Sequence, residues 1–163
     1  MIYIDSNTMK PIEVEPGLFG VRMIDGSVGS HNITLLRGWL LPGARHSMHR
    51  HDSEEAVVFL SGHGVVCIDG KRREVKSGDA INILPSVPHS TENNHDNEEL
   101  HFISAFSDSI ITSYPVGENY QRGVKYITSG SPTLNKLRWI FRKIFRIFRN
   151  VIKIRSDDET TVH

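Results

Sequence analysis

The sequence predicts an all-β domain, a barrel or sandwich, followed by one basic amphipathic helix. Three observations carry that expectation. From residue 1 to about 127 the chain is a succession of short apolar or alternating runs broken by Gly, Pro, Asn and Asp, the pattern of strands and turns. Its 163 residues suffice for one ordinary domain, whose folding removes well over half of the unfolded surface from water. Charge divides at Gly130: residues 1–130 hold 11 Lys and Arg against 16 Asp and Glu, whereas residues 131–163 hold 8 against 3, so a net charge of zero conceals balances of −5 and +5.

Candidate strands run from Leu18 to Met23, Thr34 to Leu41, Ala56 to Leu60, Gly64 to Ile68, Ala80 to Leu84 and Leu100 to Phe106. Between them stand Ser61-Gly62-His63-Gly64, Asp69-Gly70-Lys71, Lys76-Ser77-Gly78-Asp79 and Pro85-Ser86-Val87-Pro88, all with turn chemistry. Strands this short and evenly spaced favour a barrel or sandwich over alternating β and α units. Trp39 is expected in the core, and Arg37 would serve as an anion anchor only if its face of the strand were the interior one.

The barrel domain is therefore placed at residues 1–127, a linker at 128–132, a helix at 133–155 and a disordered tail at 156–163. Ser131-Pro132 is a helix-start signal, a capping hydroxyl followed by a residue whose missing N–H costs nothing at the first helical position. Leu134, Leu137, Phe141, Ile144, Phe148 and Val151 then form one apolar stripe, with eight Lys and Arg and no acid filling the gaps. Such a segment suits an anionic membrane surface, where each cation adds roughly 1 kcal/mol of attraction. It also suits a protein partner's groove or the barrel's own open sheet. A homodimer is the expected assembly, and nucleic acid is not an expected partner because the large apolar residues fit phosphate contact poorly.

Other features bound the setting. The single cysteine, Cys67, lies in an apolar run, which excludes an intrachain disulfide and points to a buried, inert thiol. No secretory signal stands at the N-terminus, and no stretch approaches the about 18 uninterrupted apolar residues of a bilayer span. A cytoplasmic location is expected, with the helix able to rest on the inner membrane surface.

The chemistry concentrates in HSMHRHDSEEAVVFLSGHG, residues 46–64, with four histidines and two adjacent glutamates. His49 and His51 are one residue apart, so on a strand both point to the same face. Glu55 follows His51 at an even offset and rejoins that face if Asp52-Ser53-Glu54 bends into the next strand; Glu54 replaces it if the bend slips by one residue. Imidazoles with one carboxylate suit a borderline divalent cation. His89, after Pro88, is the best-placed fourth ligand by its turn context. By parity His46 faces away from His49, His63 reads as an exposed turn residue, and His31 and His95 lie in polar loops without further signal.

These residues carry a resemblance. Gly43-(x5)-His49-x-His51-(x3)-Glu55-(x6)-Gly62 resembles the first motif of the cupin superfamily. Gly78-(x5)-Leu84-Pro85-Ser86-Val87-Pro88-His89-(x3)-Asn93 resembles the second, with Leu84 where a proline is usual and Ser86 where a glycine is usual. The resemblance covers residues 43–93 directly and about 15–127 by strand pattern. It implies a cupin-like double-stranded β-helix, a jelly-roll barrel of two facing antiparallel sheets. His49, His51, Glu55 and His89 would bind one metal ion there, leaving one or two coordination positions open.

The function expected from such a site is metal-dependent enzymology on a small organic substrate at the open positions. With Fe(II), the favoured metal, dioxygenase-type oxidation leads; with Mn, Ni, Zn or Co, non-oxidative lyase, isomerase, cyclase or decarboxylase chemistry follows. A non-catalytic metal or small-ligand binding module is the alternative, since one fold hosts both. Glu55 or His101 is the candidate proton carrier. His101 shares a strand face with Ile103 and Ala105, and a core or surface histidine is the plainer reading of it.

Overall fold

The computed structural model describes Met1 and residues 3–117. The predicted linker, amphipathic helix and tail lie outside the described residues, and so do the membrane and partner roles expected of them. Eleven strands form in the described chain: β1 (Ile12–Glu15), β2 (Leu18–Ile24), β3 (Thr34–Leu40), β4 (Arg45–His51), β5 (Glu55–Ser61), β6 (His63–Ile68), β7 (Lys71–Lys76), β8 (Ala80–Ile83), β9 (His89–Glu92), β10 (Leu100–Phe106) and β11 (Ser113–Pro115). A three-residue 3-10 turn, Gly26–Val28, is the only helical element among the described residues, and none of them forms a helix long and apolar enough to cross a membrane.

Two antiparallel sheets result. One has six strands in the order β1-β2-β3-β10-β5-β8, the other five in the order β11-β4-β9-β6-β7. Leu18, Leu40, Val57, Phe59, Ile83 and Leu100 from the first meet Val66 and Val75 from the second in one buried cluster. Strand β5 shows how the sequence selects its face. Glu55, Val57 and Phe59 are buried while Ala56, Val58 and Leu60 are exposed, the period-2 alternation of a strand with one face inward.

Every predicted strand is present within a residue or two at its ends, and β10 matches its predicted bounds. Strand β7, Lys-Arg-Arg-Glu-Val-Lys, shows only Val75 as an apolar residue. It lies at the open edge of its sheet, where charge discourages pairing with another chain. Its hairpin with β6 turns through Asp69 and Gly70 at φ 49° and 75°, the doubly left-handed pair that suits the twist of a tight hairpin.

Gly62 does not reverse a sheet upon itself. The strands before and after it, β5 and β6, belong to different sheets, so the chain crosses between layers there. Its φ is +79°, and a Cβ would overlap the carbonyl oxygen of Glu99. Trp39 also departs from expectation. With Arg37 it lies on the outer face of β3, stacked 5.6 Å from Phe19 and 6.0 Å from His101. Arg37 lies over that ring and donates to Asn7 Oδ1, so it is not an interior anion anchor.

Candidate metal centre

His49 and His51 end β4, His89 begins β9, and both strands lie side by side in the five-stranded sheet, with His49 and His89 directly paired. Glu55 begins β5 in the other sheet. The bend at Asp52–Glu54 thus carries the chain from one layer to the other, and Glu55 faces the imidazoles across the interior instead of rejoining their face. Glu54 turns aside to accept a hydrogen bond from Asn82 Nδ2.

The four candidate ligands are 4–6% exposed. Donor atoms of His49, His51 and His89 lie within 4.8 Å of one another, and His49 Nε2 is 3.0 Å from His51 Nε2. Glu55 Oε2 stands 3.4 Å from His51 Nε2 and 3.2 Å from His89 Nε2. The compact group is therefore three imidazoles, with the carboxylate flanking two of them.

Hydrogen bonds behind the rings set their tautomers. His49 Nδ1 meets Ser47 O at 2.7 Å and His89 Nδ1 meets Val87 O at 2.9 Å. A carbonyl only accepts, so Nδ1 carries the proton and Nε2 presents a lone pair to the interior. His51 Nδ1 meets the Ser113 hydroxyl of β11 at 3.1 Å, a partner compatible with either tautomer.

Electrostatics favours the same arrangement. Burial holds His49 well below the ordinary imidazole value, helped by His46, His89 and His51. Burial alone would raise the Glu55 carboxyl, but His51 and His89, where they carry a proton toward it, outweigh burial and hold the group well below the usual carboxylate range; a cation among the rings takes the place of that proton. A neutral imidazole and an ionised carboxylate are the forms a metal ion requires. Glu55 Oε2 and His89 Nε2 are moreover buried without a hydrogen-bond partner. Leaving such atoms unsatisfied costs about 1–3 kcal/mol each, and a cation between them satisfies both. The residues fit a divalent ion.

His46 is not turned away. The register between β4 and β9 shifts between His46 and His49, and this irregularity defeats simple parity by bringing the two rings to 3.8 Å. Burial pushes His46 down to about 4, against the opposing pull of Glu15 and Glu55, although 27% of its side chain stays exposed. Nothing in the sequence signals that bulge. Phe106 was equally unmarked, and it stands edge-on to His51 at 5.1 Å.

The acid/base role expected for His101 at this centre is corrected. Along β10, Leu100, Ser104 and Phe106 are buried, so His101 alternates to the outer face. There it stacks on Trp39 and meets Glu99 Oε2 at 2.8 Å.

Ser86, at the position where glycine is usual, adopts φ +67° and is held by its amide donating to His51 O at 2.7 Å. The loop keeps the left-handed turn without the glycine.

Comparison with known proteins agrees with this geometry. Residues 39–106 match the family described as Cupin domain. Those residues form a cupin domain. The chain is 42% identical over 52 residues to an uncharacterized protein, MJ1618, of Methanocaldococcus jannaschii; the aligned segment covers 31% of this chain and 42% of that protein. Among solved structures, the polyketide cyclase RemF from Streptomyces resistomycificus superposes with a TM-score of 0.61 at 21% identity, over 73% of this chain and 89% of that one. A variant salicylate 1,2-dioxygenase from Pseudoaminobacter salicylatoxidans superposes with a TM-score of 0.53 at 17% identity, over 60% of this chain and 29% of that one. At such identities these likenesses speak for the fold.

Proposed function

We propose that this cupin is a metal-dependent enzyme acting on a small organic substrate, with dioxygenase-type oxidation the favoured chemistry. One observation supports it most: Glu55 Oε2 and His89 Nε2 are buried, face each other at 3.2 Å and lack hydrogen-bond partners, beside two further imidazoles. His49, His51, His89 and Glu55 would hold the ion, and a set of imidazoles with one carboxylate suits Fe(II), with Mn, Ni, Zn or Co as other occupants. The ion would supply Lewis acidity and, as Fe(II), a partner for dioxygen. The chain's own part is to keep the imidazoles oriented through Ser47 O, Val87 O and Ser113 Oγ, and to wall one side with the apolar ring of Phe106.

A second reading follows from Glu55 flanking only two of the imidazoles. With the three histidines as ligands and Glu55 as proton carrier, the site would suit a non-oxidative lyase, isomerase or cyclase.

Elemental analysis of protein purified without chelator identifies the metal, and dioxygen uptake with a panel of catechols, thiols and small acids tests the chemistry. Wild-type metal content in His49→Ala and His89→Ala proteins would refute the ligand assignment. A metal-loaded protein that consumes no dioxygen with any member of the panel transfers the case to the non-oxidative reading.

A further inference from the structure

We infer that the chain carries a second metal site, at its surface, formed by His63, His95 and Glu98 and suited to a divalent transition cation such as Zn(II). The site is independent of the buried centre. His63 opens β6, while His95 and Glu98 belong to the loop between β9 and β10, and the fold alone brings them together. Ile68, at the far end of β6, is the residue that pairs with His89. The two sites are therefore separated by the length of that strand, roughly 17 Å at about 3.3 Å per residue.

The donor atoms converge. His63 Nδ1 is 2.7 Å and His95 Nδ1 3.6 Å from Glu98 Oε1, and one donor from each of the three residues lies within 4.8 Å of the others. Around a tetrahedral Zn(II) with bonds of about 2.0–2.1 Å, ligand atoms sit about 3.4 Å apart. The His95 separation matches that spacing, and the His63 separation is a hydrogen bond that opens by less than an ångström to admit the ion. Two neutral imidazoles and a carboxylate are the donor set such ions prefer.

Two further features distinguish this group from a chance surface contact. Asn93, fully buried, donates to Glu98 O at 2.7 Å and accepts from His95 N at 3.2 Å, so the loop bearing two of the ligands is anchored to the core. His63 and His95 also border an open hollow of about 330 Å³ lined by Glu74, Lys76 and Asp79. That hollow leaves room for a water or a further ligand on the ion. The side chains of His63, His95 and Glu98 are 55%, 43% and 39% exposed, so the ion enters from solvent and exchanges freely.

The test is calorimetric titration of the full-length chain with Zn(II) in a non-coordinating buffer, comparing wild type with a His63→Ala/His95→Ala variant and with Glu98→Gln. The double variant should bind one equivalent fewer, and Glu98→Gln should bind the same number with that equivalent weakened at least tenfold. A His49→Ala/His89→Ala variant should retain the surface equivalent, which separates this site from the buried one. Wild-type stoichiometry and affinity in the His63→Ala/His95→Ala protein would overturn the proposal, as would undiminished affinity in Glu98→Gln.

Discussion

Replacing Asn93 by alanine should destabilise the fold by about 3 kcal/mol, and replacing it by aspartate should cost more at neutral pH. The side chain is fully buried and makes three bonds: Nδ2 donates to Leu40 O at 3.0 Å and Glu98 O at 2.7 Å, and Oδ1 accepts from His95 N at 3.2 Å. At about 1 kcal/mol net per bond, alanine forfeits the sum and leaves Leu40 O without this donor. Aspartate has the same shape but sets an acceptor where both donors stood, facing two carbonyl oxygens. Its carboxyl would be raised above the unfolded value near about 3.9, because only the protonated form can donate. The aspartate variant's stability is then greatest at low pH and falls as pH rises through the raised value. Urea unfolding followed by tryptophan fluorescence, near neutral pH and at about pH 4, measures both quantities. Equal stability of the two variants at neutral pH, or a gap that does not narrow on acidification, would refute the donor assignment. Both variants should also weaken Zn(II) binding at His63, His95 and Glu98, since the loop loses its anchor.

Gly62→Ala should cost about 1–3 kcal/mol more than Gly43→Ala in urea unfolding, because both have positive φ but only at Gly62 does a Cβ meet the Glu99 backbone. Equal costs would show that the close approach carries no energy. His101→Ala should leave metal content unchanged and lose the stack on Trp39, about 0.5–1.5 kcal/mol, together with the exposed contact to Glu99; a fall in metal content would return His101 to the buried centre. Tyr114 donates to Asp52 Oδ2 at 2.8 Å, and burial with that bond pushes its hydroxyl up to about 12. The folded value is raised, so this stabilisation is complete below the unfolded value of about 10 and disappears as pH rises through 12. Wild type should therefore lose stability more steeply than Tyr114→Phe over that interval in pH-dependent thermal melts.

The hydrophobic strands were legible because burial itself writes the pattern: β5 and β10 alternate toward a core, and their bounds follow from it. The strands that carry the site do not obey that rule. In β4, Arg-His-Ser-Met-His-Arg-His, and β9, His-Ser-Thr-Glu, the inward positions are filled by imidazoles, so hydrophobic period is silent and only ligand spacing marks them. Spacing singled out His49, His51, Glu55 and His89, which the fold brings together, but could not show that Glu55 arrives from the opposite sheet. His46 escaped because a bulge breaks parity, and the meeting of His63 with His95 and Glu98 because His63 is distant from the other two in sequence and all three are polar in context. His101 was misassigned for a related reason: alternation gives two faces and not which one is inside.

The buried centre draws its groups from both layers, three histidines from the five-stranded sheet and one glutamate from the six-stranded sheet. An ion held there is a non-covalent cross-link, clasping the layers at one end of an interface that Phe59 and Leu100 close by packing alone. Metal release and parting of the sheets then become one linked equilibrium. A protease acting on the opened state would thus act as a meter of metal occupancy.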